Sequence, residues 1–269
     1  TGNGVSRVTL SSSGSVEGIV LDSGDMFDTD QVVYTGHPFY LIKIVGEGVF
    51  TPVFTRHLLT PAETPSAYML FGVSDRPVLR DGGSNLFYCP TADFAPFYTP
   101  GYDIMGGPYY IMTRPGTGLP KGDATGRATG DGYSVTAIVG GNIADFAKWK
   151  DIPSAERGPE YAAFKAEKLA RFRDGLVKAC PGISSVRFIR GATPLTIRDH
   201  IHSVNGSIYG RKHTLEHNNP QPATRVPGLW LAGQSIVSPG VLGAVISAFL
   251  ACGYIVGAEN LHAELNRGQ

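Results

Sequence analysis

The chain has 269 residues, 42% of them apolar and 10% aromatic, enough to fill a core in one large domain or two smaller ones. Its 35 glycines and 19 prolines make it loop-rich but leave it below the roughly 25–30% Gly plus Pro of disordered chains. Twenty-three basic residues balance twenty-three acidic ones, so no net field draws the chain to nucleic acid.

Val5 to Leu10, Val16 to Leu21 and Gln31 to Tyr34 are short β-branched runs separated by Ser/Gly or Asp/Gly punctuation, which predicts a three-strand ribbon with a hairpin tip at Ser23-Gly24. A ribbon of this size cannot bury both faces, so it is expected to join a larger sheet. Phe39, Leu41, Ile42 and Val45 then predict a helical turn set, and Val49 to Leu59 a second short helix. Ala67 to Val73, Asn85 to Cys89, Tyr133 to Val139 and Val186 to Ile189 read as strands, with long loops expected between Thr91 and Gly132. Pro159 to Cys180 is the clearest helix, with Pro in its first turn, an apolar period near 3.6 and Pro181-Gly182 as its stop. Gly191 to Thr224 is expected to be irregular.

Leu229 to Ala232 is a short apolar strand of the kind buried on both faces of a parallel sheet, and Gly233 ends it. Pro239-Gly240 opens a helix to about Ala258. Its first N–H groups, near Val241, Leu242 and Gly243, carry partial positive charge suited to a phosphate or to the carbonyl edge of a bound ring. Small residues recur four apart at Gly243, Ser247 and Ala251, and again at Ala244, Ala248 and Cys252, a pattern that permits close approach to a backbone or a flat cofactor. Ile236 to Ala258 carries no charge and is long enough to cross a bilayer, but Pro239-Gly240, the further glycines and the lack of a basic flank favour a buried core helix.

The wording of this region is more specific than its pattern. Pro227-Gly-Leu-Trp-Leu-Ala-Gly-Gln234, Ser238-Pro-Gly-Val-Leu-Gly-Ala244 and Ser247-Ala-Phe-Leu-Ala-Cys-Gly253 closely resemble the C-terminal FAD-binding signature of the phytoene desaturase, carotenoid isomerase and retinol saturase family. Thr193-Pro194-Leu-Thr196 and Gly206-Ser-Ile-Tyr-Gly210 match that family's approach to it. The resemblance implies a mixed α/β fold, the C-terminal part of a two-domain flavin-binding oxidoreductase. Residues 1–37 and 191–269 would form an incomplete FAD-binding domain, and residues 38–190 an inserted substrate domain. It further implies Gly233 and Gln234 near the ribityl-pyrophosphate part of FAD, and Gly240, Val241, Leu242 and Gly243 at a helix start turned to the flavin pyrimidine edge. The implied reaction is hydride exchange between flavin N5 and a C–C or C=C unit of an apolar polyene, with no side chain assigned as acid or base.

The family's N-terminal strand, GxGxxG turn and helix, which cradle the ADP half of FAD, have no counterpart in this sequence. Gly2-Asn-Gly4 leads into a strand, and Gly116-Thr-Gly118 with Lys121 has the wrong spacing. The chain begins at Thr1 with no signal-peptide pattern, so it is expected to be a C-terminal fragment or one half of a two-chain enzyme. The expected partners are therefore the N-terminal FAD-binding half, from the same gene or another chain, and an apolar small molecule. A lipid-soluble substrate also allows peripheral membrane contact. The alternative is a catalytically silent module that binds an apolar ligand or docks on another protein.

Other chemistries fit less well. Cys89, Cys180 and Cys252 are odd in number and widely spaced, which gives no disulfide framework and suggests a cytoplasmic location. Asp199, His200, His202, His213 and His217 are metal-type side chains, but Asn218-Asn219-Pro220 and the missing HExxH glutamate favour polar loop histidines near a cofactor or substrate mouth, with no metal. Gly233-Gln-Ser235 and Gly206-Ser207 lack the nucleophile elbow of a hydrolase. Phe87, Tyr88, Phe94, Phe97, Tyr98, Tyr102, Tyr109 and Tyr110 can wall an apolar tunnel or fill a core.

Overall fold

The computed structural model describes residues 2–60, 62–79, 85–98, 102–116, 132–214 and 220–267. In chain order its strands are β1 (Val5–Leu10), β2 (Val16–Leu21), β3 (Met26–Asp28), β4 (Val32–Tyr34), β5 (Ser66–Ser74), β6 (Asn85–Tyr88), β7 (Tyr109–Gly116), β8 (Gly132–Gly141), β9 (Arg187–Ala192) and β10 (Leu229–Leu231). The helices are α1 (Pro38–Val45), α2 (Pro52–Leu59), α3 (Gly158–Ala179), α4 (Pro194–Ile201), α5 (Gly240–Val256) and α6 (Ala258–Arg267). Two compact units result, Thr1–Thr64 with Tyr209–Gln269, and Pro65–Ile208. The packing boundaries differ from the expected ones at 37/38 and 190/191: residues 38–64 pack with the first unit and residues 191–208 with the second.

In the first unit β1, β2 and β3 form an antiparallel ribbon with register Val8↔Ile19 and Ile19↔Phe27. Its tip closes where Leu21 N donates to Asp25 O at 2.9 Å, with Gly24 at φ +90°. The expected third strand of this ribbon is corrected: Val32 to Tyr34 leaves it and pairs in parallel with β10, in register Leu229↔Val32 and Leu231↔Tyr34. Met26–Asp28 takes its place, and among the described residues the ribbon is a sheet of its own rather than the edge of a larger one. It buries Val8 and Val16 in a core shared with Leu41, Ile42 and Val45 of α1 and Leu229 and Leu231 of β10. Sheet area is thus replaced by helix cover.

Both short helices of this unit start on side-chain caps. His37 Nδ1 accepts from Phe39 N at 3.2 Å, Thr51 Oγ1 accepts from Phe54 N at 3.2 Å, and each cap is followed by proline. A proline there loses no intrahelical hydrogen bond.

The second unit is a five-stranded antiparallel sheet in the order β6-β7-β8-β5-β9. Alternation sends Tyr68, Leu70, Tyr109, Ile111, Val135, Ala137 and Val139 to one face, where Phe146 and the α3 residues Phe172 and Leu176 cover them. Gly175 permits this close approach, since a Cβ there would come 2.1 Å from Tyr109 Oη. Two expectations are corrected here. The loop region holds β7, whose alternation of Tyr109, Ile111 and Thr113 is interrupted at both ends by Gly and Pro, and the irregular region holds α4, capped by Thr193 Oγ1 on Thr196 N at 3.4 Å.

The buried core helix is also corrected. Only Gly243, Ser247 and Ala251 of α5 are buried, while Val241, Leu242, Val245, Ile246, Phe249, Leu250, Tyr254 and Val256 are exposed. An apolar helix has no polar face to mark its outward side, so composition suggested burial all round where only the small-residue row packs. Among the described residues no single helix is long and apolar enough to cross a membrane; α5 and α6 pass that test only as a pair, bent by 114°.

Candidate functional site

Because β4 and β10 are parallel, their carboxyl ends lie side by side, the position where open α/β sheets bind ligands. Ala232 N donates to Tyr34 O at 3.0 Å and carries the pairing one residue past β10. Gly233 follows at φ +102°, and a Cβ there would meet Thr35 O at 3.1 Å. A glycine is needed both for that backbone angle and for that approach.

Two side chains from distant parts of the chain hold the Gly233-Gln234 turn. Gly233 N donates to Ser247 Oγ at 2.7 Å, and Ser247 Oγ donates onward to Ala244 O at 2.7 Å from a fully buried position in α5. His213 Nε2 lies 3.2 Å from Gln234 O. A carbonyl only accepts, so that ring nitrogen carries a proton. Within the turn, Ile236 N donates to Gly233 O at 3.2 Å.

The start of α5 is open. Pro239 caps it without a side-chain hydrogen bond, Gly240 enters at φ +82°, and Val241 and Leu242 are 84% and 72% exposed. Its first N–H groups therefore present their partial positive charge without a capping side chain. Gly243 is a packing residue as well, since a Cβ there would fall 1.9 Å from Ser238 O. The row Gly243, Ser247 and Ala251 is buried, whereas Ala248 and Cys252 of the second row are exposed.

Beside this edge stands a buried polar cluster that the sequence reading missed. His37 Nδ1 is occupied as the α1 cap, so Nε2 is the ring donor to Glu63 Oε2 at 3.1 Å. Tyr34 Oη donates to His37 O at 2.9 Å; burial, helped by Tyr40, pushes this phenol up to about 12, so it stays a donor at neutral pH. Arg211 is 4% exposed and gives Nη2 to His57 O at 2.9 Å, while its Nε and Nη1 have no acceptor among the described residues. Desolvation lowers its pKa against the opposing charge of Glu63. His37-Pro38 carried a local cap signal; nothing local marked Glu63 or Arg211.

The metal-type residues do not gather. Asp199 is held by Arg157 at 2.5 Å and Arg198 at 3.0 Å, His200 and His202 are exposed at the end of α4, and His213 belongs to the other compact unit. His217 lies outside the described residues, as do Gly118 and Lys121. Among the described residues no three His, Cys, Asp or Glu side chains come together as metal ligands.

The aromatic set divides by strand alternation. Tyr88 and Tyr109 belong to the core face of the five-stranded sheet. Phe87 and Tyr110 meet with ring centroids 4.6 Å apart and planes tilted by 36° on the opposite face, in one cross-strand row with Ile138 and Met69. Ile197 of α4 packs on Ala67 of β5 and Ala192 of β9 at one end of that face, while Phe87 remains 74% exposed. In the first unit, Phe249, Leu250, Tyr254, Leu261 and Leu265 line an apolar groove of about 400 Å³ between α5 and α6. A concavity of about 420 Å³ beside α2, lined by Phe54, His57, Thr224 and Arg225 among others, contains none of the expected site residues.

No family model matches the chain. It is 28% identical over 142 residues to an all-trans-retinol 13,14-reductase of Rattus norvegicus, a match covering 50% of this chain and 23% of that protein. It is 29% identical over 129 residues to an inactive all-trans-retinol 13,14-reductase of Danio rerio, covering 45% and 20%. The matched part is thus under a quarter of either relative's length. Among solved structures, an oxidoreductase from Methanosarcina mazei superposes with a TM-score of 0.52 at 14% identity, and a cyclohexylamine oxidase from Brevibacterium oxydans with 0.52 at 13%. They cover 92% and 97% of this chain, which spans 48% of each of theirs. That likeness shows a shared mixed α/β fold.

Proposed function

We propose, from its similarity to all-trans-retinol 13,14-reductases and the FAD-binding signature its sequence resembles, that the chain forms the C-terminal portion of an FAD-dependent oxidoreductase of the retinol saturase and phytoene desaturase type, acting on C–C or C=C bonds of a retinoid-like, apolar polyene. The observation that carries this reading is the parallel β4–β10 edge, where Gly233-Gln234 is pinned beside the uncapped start of α5.

The residues present fit the flavin end of such a cofactor. Gly233 lets the chain turn tightly against Thr35 at the end of β10, and Gly240, Val241, Leu242 and Gly243 open a helix whose N–H groups favour negative charge. They do not include a strand, GxGxxG turn and helix for the ADP end, so a partner segment supplies that part. When bound, FAD supplies the redox chemistry, exchanging hydride at N5. The chain's own residues orient and exclude water: Gln234 offers a neutral amide to the ribityl region, and the α5 start stabilises charge on the ring edge. The polyene's lipid solubility makes peripheral membrane contact from the cytoplasmic side part of the proposal.

The test is co-expression with a polypeptide supplying the strand, GxGxxG turn and helix, from the same gene or a separate one. A yellow complex that reduces or oxidises a retinoid supports the reading, and a stable colourless complex contradicts it. The second reading, a catalytically silent docking module, draws on the exposed apolar side of α5 and on the relative described as inactive. It predicts the colourless complex.

A further inference from the structure

We infer that His213 is a positioning residue, one that sets the Gln234 turn as a preformed hydrogen-bond donor toward a ligand acceptor. The inference rests on the proposed cofactor edge and adds a residue that the FAD signature in this sequence does not contain.

Three consecutive peptide groups meet at the turn. Gly233 N–H is taken by Ser247 Oγ at 2.7 Å, Gly233 C=O by Ile236 N at 3.2 Å, and Gln234 C=O by His213 Nε2 at 3.2 Å. The flanking peptide planes are therefore fixed by side chains, one from α5 and one from the segment after Arg211. That segment is itself anchored: Lys212 N donates to Ala62 O at 2.8 Å, and Thr64 N donates to Gly210 O at 2.9 Å. His213 thus reaches the turn from backbone tied on either side of Glu63.

What these ties leave over is the N–H of Gln234, which has no acceptor among the described residues, together with its side-chain amide. Gln234 is only half-buried, so both groups are open to a ligand. A donor held by its neighbours binds an acceptor without first paying to order the loop. The Gln234 N–H lies on the Gly233–Gln234 peptide, which Ile236 N holds; without His213 the next peptide, Gln234–Ser235, can rotate, and the turn that carries both the N–H and the side-chain amide of Gln234 loses one of its anchors.

The experiment compares His213→Ala, His213→Gln and His213→Asn. Glutamine places an N–H donor near the position of Nε2, whereas asparagine is too short to reach. Amide hydrogen exchange at Gln234 and Ser235 is measured in the chain itself, and FAD affinity with the flavin absorption band in the complemented complex. His213→Ala and His213→Asn are expected to speed exchange at the turn, weaken FAD about fivefold to tenfold and shift the band, and His213→Gln to restore all three to within about twofold. Unchanged exchange, affinity and band in His213→Ala overturn the inference. If exchange responds as expected but the wild-type complex takes up no FAD, the His213 tie stands and the cofactor reading falls.

Discussion

The backbone N–H of Gly233 donates to the Ser247 hydroxyl at 2.7 Å, and the hydroxyl donates in turn to Ala244 O at 2.7 Å. One fully buried side chain therefore ties the end of β10 to the interior of α5. Ser247→Ala removes the acceptor of the half-buried Gly233 N–H, at a cost of about 1 kcal/mol. Denaturant unfolding is expected to show a lower midpoint with an unchanged slope.

Gly243 and Gly240 stand three residues apart at the same helix start but are constrained by different physics. A Cβ on Gly243 would collide with Ser238 O at 1.9 Å, whereas around Gly240 nothing lies within 4 Å and only its φ of +82° resists substitution. Gly243→Ala is expected to destabilise by about 3 kcal/mol or more through backbone displacement, and Gly240→Ala by about 1 kcal/mol. Equal effects would show that the Ser238 loop yields, and thermal unfolding of both variants decides it.

The second unit has an acid-sensitive joint. Burial pushes the Asp199 carboxyl up, but the hydrogen bonds and charges of Arg157 and Arg198 outweigh it and hold the group below the ordinary carboxylate value. With the folded pKa depressed, this contribution is complete above the unfolded value of about 4 and is lost as pH falls through the folded one. Asp199→Ala is expected to cost about 3 kcal/mol at neutral pH and to flatten the fall in stability below about pH 4. A variant that keeps the wild-type acid slope would assign that slope to other carboxylates.

The exposed side of α5 yields a prediction with two arms. Leu242, Ile246 and Phe249 are 72%, 40% and 45% exposed, so Leu242→Glu, Ile246→Glu and Phe249→Glu together should leave the chain's own unfolding midpoint nearly unchanged. The same triple variant should fail to assemble with the complementing flavin-binding segment, as read by co-purification. Loss of folding in the chain alone would mean that this face is already packed.

Local chemistry made many elements legible: the caps and prolines of α1 and α2, the period of α3 and the β-branched runs of β1 and β2 all act within a few residues. The edge carrying the candidate site was legible only in part. Leu229 to Leu231 read as a parallel-type strand, but its partner Val32 to Tyr34 read as ribbon, because a pairing between the two ends of the chain leaves no local mark. The same distance hid the meeting of Glu63 with Arg211. His213 was visible as a metal-type histidine, and its bond to Gln234 O is a tertiary fact with no spacing to announce it. In α5 the small residues marked the packed row, but uniform apolarity gave no sign that the remaining faces are exposed.

The proposal that this chain supplies the flavin-edge half of a retinoid-type oxidoreductase rests on the Gly233-Gln234 turn beside the start of α5. Its most direct test is the visible absorption spectrum of the complex with a GxGxxG-bearing segment, recorded before and after anaerobic addition of a retinoid redox pair. The account predicts a flavin spectrum that bleaches or recovers with the retinoid and is weakened by His213→Ala. A folded, stoichiometric complex with no flavin, or with a flavin unresponsive to either member of the pair, would contradict it.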